Sequence, residues 1–171
     1  GLTELYGGVF NSCKSLEKID LPSKLTIIGE NAFSDCVGLK EMKIPEEVTK
    51  LDDLVFNGCI SMESVELPVG LRKIGKSAFK NCKALKSIVL PDSITHIGGE
   101  SFMDCSSLES VVLPAKITEI RGNTFENCKS LKSISIPDGV TRIGGHAFYG
   151  CSSLSYVLVP DSVKEIGSSA F

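Results

Sequence analysis

The chain has 171 residues, of which 42 % are hydrophobic and 23 % charged, and its formal net charge is -3. These values are ordinary for a globular protein, and the slight acidity leaves no basic footprint for nucleic acid or an anionic membrane. No apolar run reaches the roughly 18–20 residues needed to span a bilayer, so membrane insertion is not expected.

One unit returns along the whole chain. Cysteine stands at Cys13, Cys36, Cys59, Cys82, Cys105, Cys128 and Cys151, a period of 23 residues. Every phenylalanine, from Phe10 to Phe171, and every proline, from Pro22 to Pro160, keeps the same interval. A fixed period of this length marks a solenoid, in which coils stack because none can bury a core alone. The seven cysteines are odd in number and evenly spaced, and they show no zinc-ligand spacing. They read as a buried column of free thiols.

Within a coil, the residues after the cysteine come first. Apolar side chains recur three, six and eight positions on, as Leu39, Met42 and Ile44 after Cys36. The last two alternate as a short strand does, and the proline that follows ends the pairing because it has no N–H. An apolar residue, often a threonine, and a second apolar residue then follow, as Ile94, Thr95 and Ile97. Their β-branched content predicts a second short strand. The coil closes with Gly-x-x-Ala-Phe-x-x-Cys, as Gly29, Ala32, Phe33 and Cys36. This i, i+3, i+4, i+7 spacing predicts a helical turn. The residue before each cysteine, such as Asp35, Gly58 or Asn81, is of a type that tolerates positive φ and is expected to end the turn. Asp52 and Arg121 interrupt the glycine column, and local distortion is expected there.

The pattern Leu-x-x-Ile-x-Leu-Pro-x-x-Val-x-x-Ile-Gly-x-x-Ala-Phe-x-x-Cys resembles the BspA-like, or treponemal-type, leucine-rich repeats over essentially the whole chain. The resemblance implies a repeat solenoid, a leucine-rich-repeat horseshoe of 23-residue coils with a parallel β-sheet on its concave face. With the local readings it gives short second strands and helical turns elsewhere. It also implies a secreted or cell-surface protein of anaerobic bacteria or parasitic protists, acting in adhesion to host matrix or other cells. Residues 1–171 are expected to be a single array of about seven and a half coils cut from a longer one. Its uncapped ends make end-to-end self-association a possible further contact.

If the strands pack their apolar residues inward, the positions five and seven after each cysteine face out. These rows give the candidate protein-binding residues: Lys18, Asp20, Glu41, Lys43 and Glu66 at the charged end, then Val89, Val112, Tyr156 and Leu158. Beside them Glu17, Lys40, Glu63, Lys86, Glu109 and Lys132 alternate in sign, and neighbours about 4.8 Å apart could form a charge ladder. No catalytic, metal or cofactor site is expected. His96 and His146 lie in different columns, on what reads as solvated surface, and do not converge with a nucleophile. Glu46-Glu47 and Asp52-Asp53 are adjacent pairs that diverge in extended chain. Gly98-Gly99 and Gly144-Gly145 carry no phosphate-loop pattern. A protein ligand is the expected partner, and the alternative is a spacer that binds nothing.

Overall fold

The computed structural model describes residues 1–171 and contains parallel strands joined by turns. Numbered in chain order, one set comprises β3 (Glu41–Lys43), β5 (Ser64–Glu66), β7 (Ser87–Val89), β9 (Ser110–Val112), β11 (Ser133–Ser135) and β13 (Tyr156–Leu158). A second set follows the prolines: β1 (Glu4–Leu5), β2 (Ile27–Ile28), β4 (Lys50–Leu51), β6 (Lys73–Ile74), β8 (His96–Ile97), β10 (Glu119–Ile120), β12 (Arg142–Ile143) and β14 (Glu165–Ile166). All paired strands are parallel and in register at the 23-residue repeat, as in Ser87↔Ser110 and Lys73↔His96. The first set forms the concave face. The coil around Lys18 and Asp20 carries no strand there.

The predicted helical turns are absent, and the backbone gives the reason. Left-handed residues precede the cysteines as expected, at Ser12, Asp35, Gly58, Asn81, Asp104, Asn127 and Gly150. A second left-handed column, unforeseen, runs through Asn31, Leu54, Ser77, Glu100, Asn123, His146 and Ser169. Reversing φ this often breaks a helix into successive tight turns. The amides then alternate in direction. Those of Ala32, Ser34 and Cys36 bond within their coil to Gly29, Asn31 and Phe33, while those of Asn31, Phe33 and Asp35 bond to Asp53, Val55 and Asn57 of the next. A helix would use all of them internally; these turns give half of them to stacking.

The core is one continuous cluster along the solenoid axis. The phenylalanines form a file of near-parallel rings, with centroids 5.2–5.6 Å apart and planes inclined by 3–18°. The seven cysteines are free, and all but the half-buried Cys13 are buried. From Cys36 to Cys151 each thiol donates to the carbonyl of the phenylalanine in the preceding coil, at 3.1–3.3 Å. The column is therefore both apolar filling and a weak polar tie between coils. Burial pushes these thiols upward in pKa: well above the ordinary value at Cys82 and Cys105, and to about 11 at Cys151.

The glycine column sets how closely the coils of the second strand set approach. A Cβ at Gly98 would lie 2.5 Å from the Gly75 carbonyl carbon, and one at Gly144 would lie 2.4 Å from the Gly122 nitrogen. At all five strand-flanking glycines, Gly29, Gly75, Gly98, Gly144 and Gly167, the amide donates to the preceding coil at 2.7–2.9 Å. Asp52 and Arg121 make no such bond. The sheet breaks at those two steps, between β2 and β4 and between β8 and β10. The distortion expected at these positions is thus a missing rung with a steric cause.

Three outcomes follow for stability. Phe79→Ala removes a fully buried ring and is expected to cost on the order of 3–5 kcal/mol in chemical denaturation. Gly98→Ala drives a methyl into backbone that cannot rotate away; a loss of about 1–3 kcal/mol, with faster hydrogen exchange at residue 98, is expected. The buried thiols have raised folded-state pKa values, so their contribution is complete below the ordinary thiol pKa near 9 and is lost as pH rises toward the folded values. Thermal melts should therefore fall above pH 9 more steeply than those of a variant with Cys82 and Cys105 replaced by alanine.

Candidate functional site

The strand face forms a trough of about 1070 Å³ over the first four coils. Its floor includes Lys18, Asp20, Glu41, Lys43, Glu66 and Val89, six of the residues expected from sequence. One wall comes from the residues after each proline, including Ser23, Glu46, Val69 and Asp92. That wall was not foreseen. Its sequence signal is the variable position just past each proline, where Val69 is 80 % exposed.

Alternation fixes which side chains face the trough. In β3, β7, β9 and β11 the central residue is buried and its two neighbours are exposed. In β5 and β13 the central residue, Val65 or Val157, is half-buried instead. The strand face is also divided into pairs: β3 bonds to β5, β7 to β9 and β11 to β13, with no strand pairing between β5 and β7 or between β9 and β11.

Charges at the first end pair across coils. Lys18 meets Glu41 at 2.8 Å and Lys43 meets Glu66 at 2.8 Å. The hydrogen bond from Lys18 holds the Glu41 carboxyl below its usual pKa, and those to Glu41 and Glu66 hold Lys18 and Lys43 above theirs. These side chains are well exposed, so the pairs set local geometry and weaken with salt rather than carrying stability. The adjoining row is only partly a ladder. Glu17–Lys40 and Glu109–Lys132 close at 2.7 Å, but Glu63 and Lys86 make no ion pair. They lie at the β5/β7 step, where the strand pairing is interrupted.

The other candidates lie farther along. Val89 and Val112, 83 % and 80 % exposed, are neighbours in the β7–β9 register. Tyr156 and Leu158 stand on β13, 63 % and 53 % exposed. Tyr156 also borders an apolar recess of about 480 Å³ with Leu154, Val159 and Phe171. Val112 and Leu158 line neither cavity. The trough therefore brings together the five residues of the charged end with Val89, and leaves Val112, and beyond the exposed serines of β11 Tyr156 and Leu158, as separate exposed positions.

The histidines depart from expectation, since both are half-buried. His146 packs edge-on against Tyr149 with ring centroids 5.3 Å apart. No group of His, Cys, Asp and Glu side chains is arranged to hold a metal ion. No helix is long and apolar enough to cross a membrane.

Parallel strands on a concave face, repeated every 23 residues over a continuous core, define a leucine-rich-repeat solenoid. The family model for the BspA type leucine rich repeat region matches residues 3–132 and 50–171, in six copies. The chain belongs to the BspA-type leucine-rich repeat family. A leucine-rich repeat protein from Bacteroides ovatus is similar at 34 % identity over 97 % of this chain and 43 % of its own, with a TM-score of 0.94. The Treponema pallidum leucine-rich repeat protein shares 30 % identity over 95 % of this chain and 74 % of its own, with a TM-score of 0.83. A leucine-rich repeat protein from Eubacterium ventriosum, 18 % identical over 88 % of this chain and 57 % of its own, has a TM-score of 0.73 and shares the fold alone. No curated protein sequence matches the chain. The chain thus spans less than half the length of the Bacteroides ovatus protein.

Proposed function

We propose that the chain is a non-enzymatic protein-binding module of a secreted or cell-surface protein, which engages its partner through the strand face. The observation that carries this reading is the exposure of Val89 and Val112, and of Tyr156 and Leu158 beyond the two outward serines of β11, on regular strands. Side chains held at strand spacing lose little freedom on binding, and an exposed tyrosine is a favoured anchor at interfaces. The paired charges at the other end would fix the partner's register more than its affinity. Bacterial leucine-rich repeat arrays suit such a role, and the family resemblance points to host matrix or other cells as the source of the ligand.

A spacer that binds nothing has one observation in its favour. Lys18–Glu41 and Lys43–Glu66 satisfy one another, so that part of the face needs no partner.

The test is a binding screen of the folded chain against immobilised extracellular-matrix proteins and whole cells. Tyr156→Ala combined with Val112→Ser is expected to weaken the strongest interaction by at least about tenfold, the loss of a tyrosine anchor, with the melting curve unchanged. Retention nowhere in the screen favours the spacer. Full binding by the double variant moves the contact off the strand face.

A further inference from the structure

The missing rung at Arg121 opens a second site, away from the strand face. A polar trough of about 410 Å³ lies at the step between β8 and β10, and no hydrophobic residue lines it. Lys73, His96, Arg121 and Arg142 contribute to its walls, together with the carboxylates of Asp53 and Glu119. Elsewhere in the column the glycine amide bonds back to the preceding coil, as Gly98 does to Ile74 at 2.9 Å. The Arg121 side chain occupies the position where a Cβ meets neighbouring backbone in the glycine coils, and its amide makes no backbone bond. The next amide, that of Gly122, makes none either, as is ordinary for its position: those of Glu30, Gly99, Gly145 and Ser168 make none, and Lys76 alone finds an acceptor.

The chain itself shows what suits these amides. Two coils earlier, the corresponding pair is Gly75 and Lys76, and both amides point to the preceding coil. That of Gly75 reaches the Leu51 carbonyl, and that of Lys76 donates to the Asp53 carboxylate at 2.9 Å. The residue one coil before Gly122 is Gly99, which has no side chain to play the part of Asp53. The Gly122 amide is thus free where one other coil seats a carboxylate oxygen, and the Arg121 amide lacks the backbone acceptor that Gly75 keeps.

The surrounding charge agrees. Lys73 stands in register with Lys50, a like-charged pair that is unfavourable across paired strands, and it makes no ion pair. Glu119 is shared between Arg121 and Arg142, and Arg142 also reaches Glu165 at 3.2 Å. Lys76 is drawn to Glu100 at 3.2 Å. The pKa of His96 is held below its ordinary value, first by burial and then by Arg121 and Lys73, with Glu119 and Asp53 opposing. The other broken rung is unlike this one. There Asp52 pairs with Lys50 at 3.0 Å, and its carboxylate stands where Arg121 has a guanidinium group.

We propose that the β8/β10 slit binds a compact oxyanion, a carboxylate or a sulfate group of a ligand, on the Arg121 and Gly122 amides, with Lys73 supplying the unpaired charge. Consecutive backbone amides that point the same way form such anion concavities. This inference is independent of the strand-face reading and stands whether or not that reading does.

The test is an amide NMR titration of the whole chain with sodium sulfate and with sodium acetate, against sodium chloride at matched ionic strength. The expected result is a saturable shift of the Arg121 and Gly122 amides and a rise in the His96 pKa, with His146 unmoved. A response to acetate alone identifies a carboxylate site, and one to sulfate alone a sulfate site. Arg121→Gly restores the repeat residue, so it should fold, protect the residue-121 amide from exchange and abolish the response; Lys73→Gln should weaken it severalfold. A response equal to that of chloride, or one undiminished in Arg121→Gly, overturns the proposal.

Discussion

Everything in this molecule depends on coils stacking in register, each lending backbone hydrogen bonds to the next. The turns alternate between amides that close their own coil and amides that reach the following one. Neither set can be complete in a single coil, and a single coil buries too few side chains to offset its own ordering entropy. The phenylalanine file and the thiol-to-carbonyl bonds run along the same axis. They make the spacing favourable for side chains as well as for backbone, which is why one period governs all of them.

The same constraint explains where variation is tolerated. Columns that point inward have little freedom: a phenylalanine ring must match the rings above and below, and five of the seven second-strand steps carry a glycine that lets backbones touch. Positions that point outward are released from this demand. On the strand face the outward rows change from paired charges to serine, valine and tyrosine. That gradient is compatible with recognition because it rests on a rigid lattice, where neighbouring outward groups are spaced by the strands rather than by their own preferences.

Departures from the repeat are local and have local causes. Asp52 and Arg121 each add a side chain at a step where five other coils have glycine, and each removes one rung of the second sheet without disturbing the core behind it. Ile120, beside Arg121, stays buried, as does Leu51 beside Asp52. A solenoid absorbs such a change because each coil contacts only its neighbours. The consequence differs with the residue: the aspartate sets a negative charge beside its unbonded amide, and the arginine a positive one.

The sequence by itself determined the period, the inward columns, the left-handed residue before each cysteine, the two short strands and the two positions where the lattice would be disturbed. Each follows from a property carried by a single residue type: apolarity, tolerance of positive φ, or absence of a Cβ. Tertiary structure decided the rest. The spacing from Gly29 to Cys36 suits a helix, yet the turn must share its amides with the next coil, so Leu54 and Glu100 accept a left-handed backbone that their side chains do not favour. Glu63 and Lys86 have complementary charges, but the interrupted strand pairing between them leaves the ladder incomplete. The charged end of the strand face was legible as a row of letters. Its shape as a trough was not, because the wall is built by post-proline residues whose direction only the stacked coils fix.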